Sequence, residues 1–148
     1  MNEKKVIEIC DIFVEKYRFL SNFYPCQIIY EDIEYPSVEH AYQAVKTHDK
    51  NSRKRISQAE TPGQAKRLGR KVKLRPDWEE VKLGIMEELV RQKFNRHEDL
   101  KNKIIDSGDI ILVEGNSWGD IFWGICYGKG ENHLGKILMK IRSELLEL

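Results

Sequence analysis

The sequence predicts an α+β fold: a predominantly helical single domain with a small β-hairpin. Apolar residues recur at helical spacing through most of the second half, and only one pair of short segments alternates as a hairpin should. The length of 148 residues, with 41% hydrophobic and 33% charged, suits one buried core and not two.

The elements follow in chain order. Val6-Ile7-Glu8-Ile9 and Ile12-Phe13-Val14 read as short strands. Gln27-Ile28-Ile29-Tyr30 turns at Glu31-Asp32 and folds back as Ile33-Glu34-Tyr35. Pro36 stops that strand, and Ser37 is a good N-cap for a helix over 38 to about 47. Thr61 caps a second helix with Pro62 at its first position, which runs to about Leu68 and stops at Gly69.

The longest helix starts near Asp77 and carries Trp78, Val81, Ile85, Leu89 and Phe94 on one face. Leu100, Ile104 and Ile105 add a turn or two of helix ending at Ser107-Gly108, and residues 110–113 form a short strand. After a glycine-rich loop over 117–132, a last amphipathic helix presents Leu134, Ile137, Leu138, Ile141 and Leu145. The chain contains no repeat and no Pro/Gly/Ser-rich linker.

Composition narrows the function classes. No apolar run reaches membrane-spanning length and the N-terminus lacks a signal-peptide core, so a soluble, cytoplasmic protein with no membrane partner is expected. Cys10, Cys26 and Cys126 are odd in number and widely spaced, which argues against a disulfide framework or zinc knuckle. His40, His48, His97 and His133 show no metal-ligand spacing, so neither a metal nor a cofactor is expected.

The net charge of +1 hides an uneven distribution. From Lys50 to Arg75 there are ten basic residues, Arg67 and Arg70 among them, and one acid, a local +9 against −8 for the remainder. Such a block is either a solvated helical face or a surface that meets phosphates.

Polar residues gather in three segments beyond what packing requires: 18–25, 39–46 and 118–135. In the second, Glu39, Gln43 and Lys46 fall within a narrow arc of one helix, while Val38, Ala41 and Val45 fall on another. In the third, Gly130 to Lys136 matches the spacing G-x-x-x-x-G-K, but Ile137 stands where a P-loop needs Ser or Thr, which excludes a nucleoside triphosphatase of that type. Asn132 reads as the N-cap of the last helix, where Gly130 and the free N–H groups would make an anion site or an ordinary tight entry to a core helix.

The run Phe19-Leu20-Ser21-Asn22-Phe23-Tyr24-Pro25 and the run Ser37-Val38-Glu39-His40-Ala41-Tyr42-Gln43-Ala44 with Lys46 carry a resemblance to the NADAR (YbiA-like) family. Ala65 with Gly69, Asp77-Trp78, Lys82, Lys93-Phe94, Glu114, Asp120-Ile121-Phe122-Trp123-Gly124 and Gly128-Lys129-Gly130-Glu131-Asn132 continue it through nearly the whole chain. Cys126 stands where many members have glycine. The resemblance implies an N-glycosidase, in a family associated with removing ADP-ribose from guanine in nucleic acid and with splitting ribosylamine intermediates of riboflavin biosynthesis. The implied partner is therefore ADP-ribosylated nucleic acid or a small ribosyl-phosphate metabolite.

The residue types suit that chemistry. Breaking an N-glycosidic bond builds positive charge on the sugar, which a carboxylate stabilises while orienting water. Glu39 is the first candidate and Asp120 the second, against the alternatives of an acid favoured by a helix dipole and a turn cap. Lys46 holds a phosphate, protonates the leaving nitrogen, attacks an opened sugar as an imine-forming nucleophile, or is a surface lysine.

Phe19, Tyr24, Trp78 and Trp123 are candidate stacking surfaces for a base, with core packing the stronger alternative for Trp78. Ser21 belongs to the same loop as Phe19, and Asn22 and Asn132 would read sugar hydroxyls or base edges unless they serve as turn residues. A competing class is a catalytically silent reader of ADP-ribose or nucleic acid. Retention of Glu39, Lys46 and Asp120 argues against it, since acids near a diphosphate repel it.

Overall fold

The computed structural model describes residues 8–147. Val6 and Ile7 of the first expected strand lie outside them. The architecture is α+β, with helices dominating three two-stranded pairings. Packing divides the chain into two compact units, one built from Asn22–Glu98 and the other from the chain on either side of it.

In the Asn22–Glu98 unit, strands β2 (Ile28–Tyr30) and β3 (Ile33–Tyr35) pair antiparallel, with Ile28 opposite Tyr35. Glu31 and Asp32 both take positive φ, 45° and 67°, as a two-residue turn that follows the strand twist demands. Helix α1 (Val38–Val45) begins at Ser37, whose Oγ accepts from the His40 N–H at 3.1 Å. The Glu39 N–H is satisfied by the Asn22 carbonyl at 3.1 Å, which fastens the aromatic loop to the start of the helix.

Every residue of α1 is buried, because α2 (Lys50–Ser57), α3 (Pro62–Gly69), α4 (Trp78–Arg96) and the hairpin all pack on it. The polar arc of α1 is therefore inside the unit. Helix α2 was not anticipated, since Ile56 and Arg53 are its only buried residues and the segment reads as charge. Arg53 is consumed by the fold: Nε donates to the Thr47 carbonyl at 2.8 Å and Nη1 pairs with Glu31 at 3.3 Å. Helix α3 starts as expected, with Thr61 Oγ1 accepting from the Gln64 N–H. Asp77 stands before α4 but does not cap it by side chain, because its carboxylate is held by Arg75 at 2.7 and 3.1 Å.

In the other unit, β1 (Ile9–Cys10) pairs parallel with β4 (Ile111–Leu112). The strand expected over Ile12-Phe13-Val14 does not form: Phe13 is buried, Ile12 and Val14 face solvent, and a 3₁₀ helix (Glu15–Leu20) follows. Helix α5 (Glu98–Asp106) matches the expectation around Leu100 and Ile104. An unforeseen parallel pair joins β5 (Gly115–Asn116), just before the glycine-rich stretch, to β6 (Ile125–Cys126) within it. Helix α6 (His133–Leu146) buries the expected face of Leu134, Ile137, Leu138, Ile141 and Leu145, and packs on β4. Arg142 ties it down, donating to the Ile110 carbonyl at 2.7 Å and Ser107 Oγ at 3.0 Å.

Candidate active site

Helix α1 carries the candidate residues Glu39 and Gln43 of the Asn22–Glu98 unit, with Lys46 as its C-cap. Glu39 and Gln43 lie one turn apart, 7% and 3% exposed, and Gln43 Nε2 donates to Glu39 Oε1 at 2.7 Å. That hydrogen bond sets the amide's orientation and leaves Gln43 Oε1 buried with no hydrogen-bond partner. An orphaned buried acceptor costs about 1–3 kcal/mol, so packing alone does not favour the arrangement. Three residues beyond Gln43, Lys46 is half-buried with Nζ 5.4 Å from the centre of the Tyr42 ring.

Burial pushes the Lys46 ammonium below its ordinary pKa; Glu39 opposes that shift, while Lys66, Arg70 and Lys82 reinforce it. A carboxylate, a softened amine and three further cations from α3, its C-cap and α4 thus share one neighbourhood. Lys66 and Lys82 were not among the candidate site residues, because a helical wheel of α1 cannot show what α3 and α4 bring to its end. Arg70 and Arg67 are both exposed, and Arg70 is among the cations that lower the Lys46 pKa.

The remaining candidates of this unit divide. Asn22 presents its carbonyl to Glu39 and its Nδ2 to Met86 Sδ at 3.5 Å. Tyr24 is half-buried with Lys93 Nζ 5.8 Å from its ring centre. Trp78 is only 5% exposed and packs on Tyr42 at 5.2 Å between centroids, so its face is core and not an open stacking surface. His40 is a packing residue: Nδ1 meets Ser37 Oγ at 2.7 Å and Nε2 meets the Ala59 carbonyl at 3.0 Å, which places the ring proton on Nε2.

In the other unit, Phe19 is 5% exposed, with Lys103 Nζ 5.8 Å from its ring centre; it too is core. Ser21 is half-buried at the end of the 3₁₀ helix. Asp120 caps a turn: Oδ1 accepts from the Phe122 and Trp123 N–H groups at 3.1 and 2.9 Å. Trp123 is half-buried, edge-on to Phe122 at 4.8 Å.

The anion site expected at the start of α6 is not offered. The N–H groups of Glu131, Asn132, His133 and Leu134 donate to the carbonyls of Ile121, Gly124, Phe122 and Trp123. Asn132 does not cap by side chain either: it sits in the left-handed region at φ 54°, its Oδ1 accepts from Glu114 N–H at 2.9 Å and its Nδ2 donates to the Leu112 carbonyl at 3.0 Å. Gly130, at φ 149°, lies where a Cβ would overlap the Gly124 carbonyl, so its role is close backbone approach. Among the described residues no three His, Cys, Asp or Glu side chains are grouped to hold a metal, and no helix is long and apolar enough to cross a membrane.

The NADAR domain model matches residues 11–146. A riboflavin biosynthesis protein of Vibrio vulnificus is 40% identical over 90% of this chain, which spans only 37% of that protein. An N-glycosidase of Nostoc punctiforme is 43% identical, covering 90% of this chain and 89% of its own length. N-glycosidase YbiA of Escherichia coli is 35% identical over 88% of this chain and 83% of its own length. The NMR structure of YbiA superposes with a TM-score of 0.83 at 32% identity over 97% of this chain and 88% of that one. The domain model's match over residues 11–146, relatives at 43% and 35% identity covered over most of their length, and the fold shared with YbiA make this chain a member of the NADAR family.

Proposed function

We propose that this protein hydrolyses the N-glycosidic bond between a phosphorylated ribose and a base, with ADP-ribose on guanine in nucleic acid as its substrate. That it is a hydrolase acting on N-glycosyl bonds rests on its family and on full-length N-glycosidase relatives at 35% and 43% identity. The observation that carries the substrate reading is that Lys46 feels the charge of three further cations, Lys66, Arg70 and Lys82, as well as that of the buried Glu39. Cations in that number suit a diphosphate, and the exposed Lys54, Arg55, Arg67 and Lys71 suit the flanking phosphate backbone.

In this reading Glu39 faces the positive charge that grows on the sugar and orients the attacking water. Water adds at the anomeric carbon and gives its proton to Glu39, the C–N bond breaks with its electron pair leaving on nitrogen, that nitrogen takes a proton from Lys46, and exchange with solvent returns both groups to their starting states. The lowered pKa of Lys46 favours that transfer. Tyr24 supplies apolar surface for the base, and Asp120 serves by holding the Trp123 turn.

The test is product mass spectrometry on an oligonucleotide bearing ADP-ribose on guanine, run with wild type and Glu39→Gln. Release of ADP-ribose by wild type alone supports the proposal. Intact substrate in both would refute it and turn attention to ribosylamino-pyrimidine phosphates, the second reading, which the Vibrio vulnificus relative's name favours. Indifference to both, with salt-sensitive binding retained, would point to a reader. Borohydride trapping addresses the imine alternative, because a reduced adduct on Lys46 would make that residue a nucleophile and not a proton donor.

A further inference from the structure

Glycine near the end of a helix usually signals a stop, and Gly69 read that way in the sequence. It is instead the last residue within α3, buried, with Arg70 continuing in right-handed helical geometry as the C-cap. Its φ is not in the left-handed region, so no backbone demand explains it. Glycine there costs the helix roughly 0.5–1 kcal/mol relative to alanine.

What requires glycine is Gln43. A Cβ on residue 69 would overlap Gln43 Oε1, and would lie 2.8 Å from its Cδ and 2.9 Å from its Cβ. The amide alone could swing aside, but the Cβ of Gln43 is fixed to α1, so an added methyl displaces both the amide and the helix contact. The amide is held between Gly69 on one side and Glu39 on the other, where Nε2 donates at 2.7 Å. Gln43 Oε1, which has no hydrogen-bond partner, lies where that Cβ would be.

We infer that Gly69 is a positioning residue, a notch in α3 that seats the Gln43 amide so that it orients the Glu39 carboxylate for the reaction. This rests on the proposed role of Glu39 and extends it across two helices. Gly69 touches no reacting atom. It acts through Gln43, and its removal should look like loss of the Gln43 amide.

The experiment uses Gly69→Ala, Gln43→Ala and the double variant in the full chain, with two readouts. The first is the titration of the Glu39 carboxyl carbon by NMR on Glu-labelled protein, which needs no substrate. Removing a hydrogen-bond donor from a carboxylate moves its titration to higher pH, so both single variants should shift it upward, and the double variant no further than Gln43→Ala alone. The second is turnover of the ADP-ribosylated oligonucleotide, expected to fall about a hundredfold in each single variant and by no more in the double.

An unshifted Glu39 titration in Gly69→Ala, or additive losses in the double variant, would overturn the inference. Should Gly69→Ala fail to fold, the double variant should be the more stable of the two, because alanine at 43 removes the Oε1 and Cδ that the methyl would meet and leaves only the Cβ contact at 2.9 Å; a double variant no more stable than Gly69→Ala overturns the inference. Shifted titrations together with no turnover by wild type would sustain the positioning role and refute the proposed substrate instead.

Discussion

Two regions of this chain are rich in polar residues, and they use them in opposite ways. In the stretch from β5 to the start of α6, polar side chains are spent on the backbone: Asn116 brackets Asp120, Asp120 caps Phe122 and Trp123, and Asn132 bridges Glu114 and Leu112. Those groups satisfy peptide donors and acceptors in a loop with little regular structure, as any buried irregular backbone demands. In α1 the helix already satisfies the backbone, so the buried Gln43 turns its amide to the Glu39 carboxylate, and one acceptor is left over. Among the described residues two buried side-chain atoms have no hydrogen-bond partner, the Tyr35 hydroxyl and Gln43 Oε1, and the one on Gln43 lies in an amide bonded to a buried carboxylate.

Substitutions sharpen this contrast. The largest effect is expected for Lys46→Met, where turnover should fall about 10²–10³-fold, the usual scale for losing one group that meets developing charge. Its thermal stability should hold or improve, since a half-buried ammonium among other cations is removed. Turnover within a few-fold of wild type would place Lys46 among surface residues.

Asn132→Ala should do the reverse. It leaves the Glu114 N–H and the Leu112 carbonyl without these partners, a loss of about 2–4 kcal/mol by urea unfolding, while protein that remains folded keeps its rate. Asp120→Ala should cost less, about 1–2 kcal/mol, because its turn is partly solvated. A stable but inactive Asp120→Ala would break the contrast and make Asp120 part of the chemistry.

A smaller effect concerns pH. Lys93 in α4 is 1% exposed, and burial lowers its ammonium to about 8 from 10.5. The unfolded chain therefore binds the proton more tightly than the folded one, so this group's contribution to stability increases as pH rises from about 8 to 10.5. Lys93→Met should remove that slope in urea melts across the window. Smallest of all, Arg67→Ala should leave the rate on a short substrate unchanged and reduce the salt slope of oligonucleotide binding by about one.

The contrast also explains what could be read from the residues alone. Ser37 as N-cap, the Glu31-Asp32 turn, the apolar face of α6 and the common arc of Glu39, Gln43 and Lys46 are local facts, set by spacing and by single side chains. Helix α2 escaped because one apolar residue, Ile56, does the work that periodicity needs several to reveal. The β5–β6 pair escaped because two-residue parallel strands leave no alternation, and their partners are about ten residues apart. Gly69, Lys66 and Lys82 depend on how α3 and α4 meet α1, which no spacing within one element records. Trp78 and Phe19 looked like stacking surfaces only because sequence does not say which face of a ring is covered.

If Glu39 is buried for chemistry and not for stability, the most direct measurement is turnover of Glu39→Gln beside its melting curve. A buried carboxylate kept for function should give a variant as stable as wild type or more so, with turnover lost by a factor of about 10²–10³. A Glu39→Gln protein that melts markedly lower yet still cleaves would contradict that role and make the pair with Gln43 a structural one.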